Sequence, residues 1–318
     1  MHESALPEQT RKRLLAALKN RKLDASLLYS GLRQTSRWIS LHRSVAPILS
    51  KSDYARVYHD AFAQIAGTKY GDPLHVIGLG CGDGSKDTEC LRLCREAGKT
   101  VIYTPCDISM EMALTAHRRA TQELPGLQSN PLMCDLTECS TLPGILKSFD
   151  PAGLERVLLF LGTLHNGNPL EIFKALLPSL RSTDSLVLSA NLARAEDYEA
   201  HLECILKQYD NEPTRHWLFG ALSELGIYPH QGELGISIQP SLENPKVKQI
   251  EARFTAGQVI RSEVLGEPFV LDEGESLSVF GSRRFTPADI HGYLSKSKLK
   301  CASEYLTAEE GVWICRRA

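Results

Sequence analysis

The stretch Leu74-His-Val-Ile-Gly-Leu-Gly-Cys-Gly-Asp-Gly-Ser-Lys-Asp87 decides the fold. It begins with an apolar, β-prone run, continues with glycines at alternate positions, and passes into a helical pattern over residues 89–94. This order predicts a strand, a tight turn and a helix. Such glycines let the backbone approach a ligand closely, and the amides at the start of a helix favour polar or anionic groups. An ordinary strand-to-helix turn has the same pattern, so the next strands decide the interpretation.

Two acidic residues stand at the ends of the next predicted strands. Asp107 follows the strand predicted over residues 100–106, and Asp135 with Leu136 follows a short strand over residues 131–134. An acid about 20 residues beyond the glycines is where a doubly wound fold hydrogen-bonds a ribose diol. A carboxylate beside an apolar side chain at the third strand can accept from an exocyclic amine and cover an adenine face. Together these acids predict an adenosine ligand.

The glycine spacing separates two cofactors that contain adenosine. The glycines do not follow the G-x-G-x-x-G pattern, and neither an arginine for a 2′-phosphate nor a pyrophosphate-binding extension is evident. S-adenosylmethionine (SAM) is therefore predicted as the cofactor in preference to NAD.

The order of the remaining segments predicts an α/β fold with a doubly wound parallel sheet. The run 156–161 is almost continuously apolar, as in a strand buried on both faces of a parallel sheet, and a fifth strand is predicted over 185–190. The composition changes after residue 191. A helical stretch (195–228), a loop rich in proline and glycine (229–245), strand-like runs (247–254, 258–265 and 277–280), a helix and a closing hairpin are predicted from there onward.

The loop after the fourth strand contains His165 and Asn166. Open α/β sheets bind ligands at the carboxyl ends of their strands, so this loop is expected beside the reactive end of the cofactor. A histidine titrates near neutral pH, which suits a general base. A solvated or structural role for a lone loop histidine stays open beside that interpretation.

The composition limits the class of protein. The 318 residues are 42% hydrophobic and carry a formal net charge of −2, which is typical of a globular enzyme and argues against nucleic acid as the main partner. No apolar stretch approaches the ~20 residues of a membrane span, and the first residues do not resemble a signal peptide. We therefore expect a cytoplasmic protein with a small-molecule substrate. The nine cysteines are scattered and predict reduced thiols with no metal site.

With these residues together, the sequence resembles the histidine-specific SAM-dependent methyltransferase family, whose best-known members trimethylate the α-amine of histidine in ergothioneine biosynthesis. The resemblance implies a class I, Rossmann-like methyltransferase sheet with an inserted α+β substrate domain. The matching segments are residues 79–86, Asp107, Asp135-Leu136, residues 160–166, Tyr209-Asp210, residues 274–276 and residues 282–285.

The family plan also implies boundaries for the parts of the chain. Residues 1–66 would form the N-terminal helical part of the substrate domain, and residues 67–194 the SAM-binding domain. Residues 195–285 would form the inserted α+β part, and residues 286–318 a helix and hairpin that complete the main sheet.

The resemblance also implies roles for single residues. Asn166 would bind the amino group of the substrate, Tyr29 would approach its carboxylate, and Ser282 matches a serine of the substrate pocket. The cofactor would be held by Gly80, Gly82, Gly84, Lys86, Asp107, Asp135 and Leu136.

Two departures from the family pattern change the expected substrate. Gly78 replaces the acid that opens the first glycine motif, which removes an acceptor near the cofactor. Phe280 stands where the histidine enzymes hold a glutamate for the imidazole, although in a shifted register Glu275 would serve instead. A lost buried acceptor costs about 1–3 kcal/mol. We therefore expect methylation of an amine of another amino acid or a similar molecule.

Two other readings of the function remain open at this point. If the second-substrate pocket is degenerate, the enzyme would act on SAM alone through its aminobutyrate chain and release methylthioadenosine. A protein that only binds the cofactor as a sensor is the third possibility.

Overall fold

The computed structural model describes residues 1–45, 52–150 and 152–318. Contacts divide the chain into two compact units. Unit 1 comprises Met1–Ala5, Pro47–Arg194 and Phe285–Ala318, and unit 2 comprises Leu6–Ala46 and Ala195–Arg284. Elements below are numbered in chain order.

Unit 1 is built on a mainly parallel sheet. The strands are β1 Leu74–Leu79, β2 Val101–Asp107, β3 Gln128–Ser129, β4 Leu132–Met133, β5 Arg156–Phe160, β6 Ser185–Asn191, β12 Leu299–Leu306 and β13 Glu310–Arg317. The sheet order is β12-β13-β6-β5-β1-β2-β3, and β4 also pairs with β2. The strands β1, β2, β5 and β6 are parallel to one another, and the hairpin β12-β13 adds antiparallel to β6.

The predicted doubly wound parallel sheet is confirmed. The chain order reverses between β1 and β5, which is the switch point at which open α/β sheets bind ligands. We call the edge at which β1, β2, β5 and β6 end the carboxyl edge. The helices of unit 1 are α4 Ser52–Gly67, α5 Ser85–Glu96, α6 Met110–Glu123, α7 Leu142–Phe149, α8 Pro169–Leu176 and α11 Pro287–Lys296.

The core of unit 1 explains why part of the N-terminal region belongs to it. Tyr58, Phe62 and Ile65 of α4 are buried in one cluster with strand residues such as Val76 and Val157. This apolar face of α4 packs with the sheet, whereas the predicted boundary placed residues up to 66 in the substrate domain. None of the helices in the described ranges is both long and apolar enough to cross a membrane.

Unit 2 is an α+β structure, as expected for the insertion. Its three-stranded sheet has the antiparallel order β11-β8-β7, and β9 pairs with β10 in a separate hairpin. Its helices are α1 Pro7–Lys19, α2 Ser26–Tyr29, α3 Leu32–Val45, α9 Tyr198–Tyr209 and α10 Glu212–Ser223, and its strands are β7 Gly232–Pro240, β8 Lys248–Ala256, β9 Ile260–Val264, β10 Glu267–Leu271 and β11 Ser276–Arg284.

Three predicted elements differ from the structure. The loop predicted over 229–245 contains β7, which pairs along its whole length with β8. The helix predicted over 195–228 is two helices, because the side chain of Asn211 accepts a hydrogen bond from the amide of Thr214 and so caps a new helix. The short strand predicted over 131–134 is shorter, and β3 precedes it.

Candidate active site

The glycine turn after β1 lies against the loop that follows β5. Gly80 has a φ of +69°, and a Cβ placed on it would lie 2.8 Å from Oγ1 of Thr163. A side chain at position 80 would therefore be strained and would collide with this loop. The backbone of the turn therefore packs closely against the loop after β5, at the switch point of the sheet.

At Gly84, packing against α6 explains why the residue is glycine. Its φ is +74°, and a Cβ there would lie 2.6 Å from Cα of Ala116 in α6. The close approach is between two helices, so the structure explains this glycine by packing. Its predicted contact with the cofactor stays a prediction.

Asp107 ends β2 and is held by backbone amides. Its carboxylate accepts hydrogen bonds from the amides of Gly82 and Ser109, each at 3.0 Å. Burial raises the pKa of this carboxyl group to about 6. Because one oxygen is tied to the glycine turn itself, the position of the acid and the shape of the turn are set together.

Asp135 follows β4 beneath the first residues of the chain. Its Oδ1 accepts from the amide of Thr137 at 2.9 Å and from the hydroxyl of Thr137 at 2.7 Å. The hydroxyl of Ser4 accepts from the amide of Asp135 at 3.0 Å, and the amide of His2 donates to the carbonyl of Met133 at 2.8 Å. Sequence reasoning missed this support, because nothing local links residues 2–4 to position 135. Leu136 beside it is partly exposed.

Lys86 lies in the first turn of α5, partly buried, with its ammonium group beside Tyr58. Its Nζ donates to the tyrosine hydroxyl at 2.9 Å and lies 4.3 Å from the ring centroid. The hydroxyl of Tyr58 in turn hydrogen-bonds the carboxylate of Glu310, and Ser189 Oγ lies 2.7 Å away. Burial lowers the pKa of Lys86 and raises that of Tyr58 well above its usual range.

This lysine also reaches the loop after β5. A Cβ on Gly162 would lie 3.4 Å from Nζ of Lys86. The amide of Gly162 donates to Oγ of Ser189 at 2.8 Å, so the ends of β5 and β6 are tied together beside the lysine. Of this group only Lys86 was recognisable from the sequence, because the other members come from α4, β6 and β13.

Asn166 and His165 lie in a short 3₁₀ turn, Leu164–Asn166, at the carboxyl edge. The amide of Asn166 donates to the carbonyl of Thr163 at 3.0 Å, which fixes the turn. The side-chain oxygen Oδ1 of Asn166 is buried and has no hydrogen-bond partner among the described residues. A buried acceptor without a donor is unfavourable by about 1–3 kcal/mol, so this oxygen is suited to receive a donor from a ligand.

Tyr29 and Phe280 belong to an aromatic cluster in unit 2, which we define as Tyr29, Trp38, Tyr209, Trp217 and Phe280. The ring centroids of Phe280 and Trp217 are 5.5 Å apart at 73°, and those of Phe280 and Tyr209 are 6.1 Å apart at 26°. Tyr29 is 5.8 Å from Trp217 and 6.1 Å from Trp38. The contact of Phe280 with Tyr209 is stacked, and the other three are edge-to-face or tilted.

Ser282 is fully buried in β11 next to this cluster. Its hydroxyl accepts a hydrogen bond from Nη1 of Arg284 at 2.9 Å and lies 3.2 Å from the hydroxyl of Tyr209. Nη2 of Arg284 donates to the same tyrosine hydroxyl at 2.7 Å. Ser282 therefore orients Tyr209 and Arg284 in this structure, and its predicted contact with substrate stays a prediction.

Glu275, the alternative in a shifted register, is engaged elsewhere. Its carboxylate pairs with Nη2 of Arg21 at 2.7 Å and accepts from the amide of Asp272 at 2.8 Å. A β-bulge between Ser278 and Phe280 sets the register of the following residues of β11. As a result Phe280 is the β11 side chain that stacks within the aromatic cluster.

The predicted site residues thus fall into two groups. The cofactor residues, His165 and Asn166 all belong to unit 1, and the acids of that group stand at strand ends of one sheet. Tyr29, Phe280 and Ser282 belong to unit 2.

The comparison with protein families assigns the chemistry of unit 1. Residues 55–212 match the family described as histidine-specific methyltransferase, SAM-dependent. On the basis of this match, the chain belongs to that family. It is therefore a SAM-dependent methyltransferase, with the α/β fold of that enzyme class. The matched region contains α5, the glycine turn, Asp107, Asp135 and Asn166.

Several solved structures are similar at low identity. The magnesium protoporphyrin IX methyltransferase of Synechocystis PCC 6803, with bound SAH, is 13% identical, with 93% of this chain and 100% of that chain covered and a TM-score of 0.47. Human N-acetylserotonin methyltransferase in complex with SAM is 14% identical, with 98% and 68% covered and a TM-score of 0.43. No curated protein matches the chain.

The residues present fit SAM. The glycine turn lies at the switch point of the sheet, Asp107 beside it offers a carboxylate for a ribose diol, and Lys86 offers a cation. When bound, SAM supplies an electrophilic methyl group on a positively charged sulfur atom.

Proposed function

We propose that this methyltransferase methylates the amine of an amino acid or of an amino-acid-like small molecule other than histidine. The observation that carries the proposal is the buried oxygen Oδ1 of Asn166, which lies at the carboxyl edge without a hydrogen-bond partner in the described part of the chain. A neutral amine has an N–H to donate to this oxygen and a lone pair left for attack. Holding the amine by its N–H directs that lone pair away from Asn166.

The main task of the protein is to position the attacking amine, and chemical activation of the amine matters less. Methyl transfer is a displacement that requires the nucleophile in line and within near-attack distance, and such positioning can account for about 7–11 kcal/mol of a barrier. The amine must be neutral when it attacks and loses a proton afterwards. His165 adjoins Asn166 in the same turn and is our candidate to accept that proton.

The aromatic cluster supports an acceptor other than histidine. An imidazole that entered an apolar wall at Phe280 would leave its N–H unpaired, at a cost of about 1–3 kcal/mol. Glu275, which would supply the missing acceptor, is occupied by Arg21. An apolar or aromatic side chain would instead gain from burial, at about 25 cal/mol per Å² of apolar surface. We retain Tyr29 as the proposed contact for the acceptor carboxylate.

The proposal is tested by turnover of a panel of amino acids with SAM, followed by mass spectrometry of both products. We expect S-adenosylhomocysteine (SAH) and an N-methylated aromatic or apolar amino acid. Release of methylthioadenosine would contradict methyl transfer and show use of the aminobutyrate chain. Histidine turnover as fast as that of the best substrate would contradict the acceptor class.

The role of Asn166 is tested by replacement with alanine. We expect kcat/KM for the acceptor to fall by about 10- to 100-fold, the equivalent of one lost hydrogen bond to a reacting group, with unchanged SAH affinity. Asn168→Ala is the matched control, because this amide in the same loop only caps α8 by accepting from the amide of Leu170. An equal loss of activity in both variants would refute a specific role for Asn166.

The role of Phe280 is tested by replacement with glutamate. Phe280→Glu should raise the ratio of kcat/KM for histidine to that for the best aromatic substrate, because the new carboxylate can accept from an imidazole N–H. Phe280→Leu keeps the wall apolar and should leave the ratio unchanged. If Phe280→Glu and Phe280→Leu change this ratio alike, the proposed role of Phe280 in substrate selection is refuted.

A further inference from the structure

Near the end of β1, the carboxyl group of Asp87 occupies the position where a side chain on Gly78 would lie. A Cβ placed on Gly78 would lie 1.8 Å from Oδ2 and 3.0 Å from Cγ of Asp87. Gly78 does not have a positive φ, so its backbone accepts a side chain and the obstacle is the carboxyl group of Asp87. The carboxyl group from the first turn of α5 therefore fills the space that a strand side chain at position 78 would occupy.

Asp87 is buried and held in place by a neutral group. Its residue is 3% exposed, and its Oδ2 accepts a hydrogen bond from the hydroxyl of Tyr103 at 2.7 Å. Burial raises the pKa of this carboxyl group to about 7. The other acid of the turn, Asp83, is already paired with Arg119 at 2.9 Å. Asp87 thus accepts its hydrogen bond from an uncharged group, whereas Asp83 accepts from a guanidinium group.

The cofactor has a group that needs such an acid. The aminobutyrate arm of SAM ends in an ammonium and a carboxylate. The first turn of α5 presents opposite charges at adjacent positions, the ammonium of Lys86 and the carboxyl group of Asp87. These charges are complementary to the two charges of the arm.

We propose that Asp87 binds the α-ammonium group of the cofactor, and that helix α5 thereby supplies the carboxylate that Gly78 removes from β1. An acid can stand at position 78 of the strand or at position 87 of the helix, but not at both, because the two side chains would occupy the same space. This inference rests on the assigned cofactor and not on the proposed acceptor, because its test measures binding without any acceptor.

The first test compares two ligands that differ only in the arm, by titration calorimetry. SAH carries the ammonium, whereas 5′-methylthioadenosine lacks the aminobutyrate arm. In Asp87→Asn we expect the Kd for SAH to rise at least about tenfold, as for the loss of a charge-assisted hydrogen bond, and the Kd for methylthioadenosine to stay within about twofold. A merely structural role would weaken both ligands equally, and either that result or unchanged SAH binding overturns the proposal.

The second test moves the acid back to the strand. Gly78→Asp alone should abolish SAH binding or stability because of the collision with Asp87, and Asp87→Ala alone should weaken SAH binding. In the double variant the colliding atoms are gone, and the nearest remaining neighbour of the new Cβ is the Cβ of Cys81 at 3.2 Å.

The double variant should therefore recover much of the SAH affinity that Asp87→Ala loses, with methylthioadenosine as the control ligand. A folded double variant that binds SAH no better than Asp87→Ala overturns the proposal. If the double variant does not fold, the comparison of ligands in Asp87→Asn decides. Failure of the unmodified protein to bind SAH would instead refute the cofactor assignment itself.

Discussion

The carboxyl edge of the main sheet and the opposite edge, at which β1, β5 and β6 begin, both bury acidic side chains but hold them differently. We call this opposite edge the amino edge. At the amino edge, Asp184 is fully buried and pairs with Arg181 at 2.8 Å, and its Oδ1 accepts from the amide of Arg156. Asp150 is buried there too, 3.6 Å from Nη2 of Arg156 and 3.9 Å from Nδ1 of His75. These acids have permanent cations beside them within the protein.

At the carboxyl edge, the buried acids are held by neutral donors. Asp107 accepts from two backbone amides, and Asp87 accepts from a tyrosine hydroxyl. Burial raises the pKa of both, to about 6 and about 7, so each ionises at a cost that a cationic or hydrogen-bonding ligand would remove. An acid that is paired with an internal cation has its charge compensated within the protein, whereas an acid whose hydrogen bonds come from neutral donors is suited to a ligand.

The largest expected effect is on stability at the amino edge. Asp184→Ala leaves Arg181 and the amide of Arg156 without their acceptor, and we expect the free energy of unfolding to fall by about 3–5 kcal/mol. Urea denaturation of the ligand-free protein measures this. Glu96→Ala is the control, since the exposed pair between Glu96 and Arg92 should contribute less than about 1 kcal/mol. A loss at Asp184 no larger than that of the control would contradict the comparison.

His75 should make the stability of the amino edge depend on pH. The ring is fully buried, its Nε2 lies 2.9 Å from Oγ1 of Thr104, and burial lowers the pKa to about 4. The folded protein keeps the ring neutral while the unfolded chain binds a proton below about pH 6.5. Stability from this group is therefore complete above pH 6.5 and is lost as pH falls toward 4, by about 3 kcal/mol.

The measurement is the slope of unfolding free energy against pH between 6.5 and 4. In His75→Gln the group no longer titrates, so the difference in stability between the variant and the unmodified protein should shrink as pH falls. Parallel curves would show that the histidine is not held neutral by the fold.

The third prediction concerns ligand binding at the carboxyl edge. Asp107→Asn replaces a charged acceptor for the ribose with a neutral one, and we expect the Kd for SAH to rise by about 10- to 150-fold, or roughly 1.5–3 kcal/mol. Asp184→Ala, titrated under conditions in which it remains folded, should bind SAH within about twofold of the unmodified protein. Equal losses at the two edges would remove the distinction between structural and ligand-binding acids.

The sequence predicted most of the main sheet, because its strands are recognisable locally. β1, β5 and β6 are nearly continuous apolar runs, and each is buried along almost its whole length. The prediction of a loop over 229–245 was wrong for β7, although Leu234, Ile236 and Ile238 alternate with polar residues as in a strand with one buried face. The glycines and prolines around this alternation were given more weight than the alternation itself.

The candidate site was predictable to the same extent and for the same reason. Asp107 and Asp135 follow strands at a recognisable spacing, so the sheet alone places them. Tyr58 and Glu310 could not be found this way, because they reach Lys86 from elements far away in the chain. Asp87 lies in the segment 74–87 but was given no role from the sequence, because only the structure shows that its carboxyl group fills the space beside Gly78.

The last and smallest effect is the pH dependence of SAH binding. In the ligand-free protein the pKa of Asp107 is raised to about 6, so the group takes up a proton as pH falls through that value. In the predicted binding mode the ribose diol donates to the carboxylate of Asp107. The Kd for SAH should therefore rise as pH falls below 6, by at most about tenfold per pH unit. Calorimetric titrations between pH 5 and 8 measure this.

Asp87 adds a second step to the same profile, because burial raises its pKa to about 7. Asp107→Asn should abolish the step near pH 6 and keep the one near pH 7, whereas Asp87→Asn should do the reverse. A buried acid that already has an internal cation would show no such step, since ligand binding would not change its ionisation. A profile that is flat in the unmodified protein would place Asp87 and Asp107 in the same class as the acids of the amino edge, and the distinction between the two edges would fail.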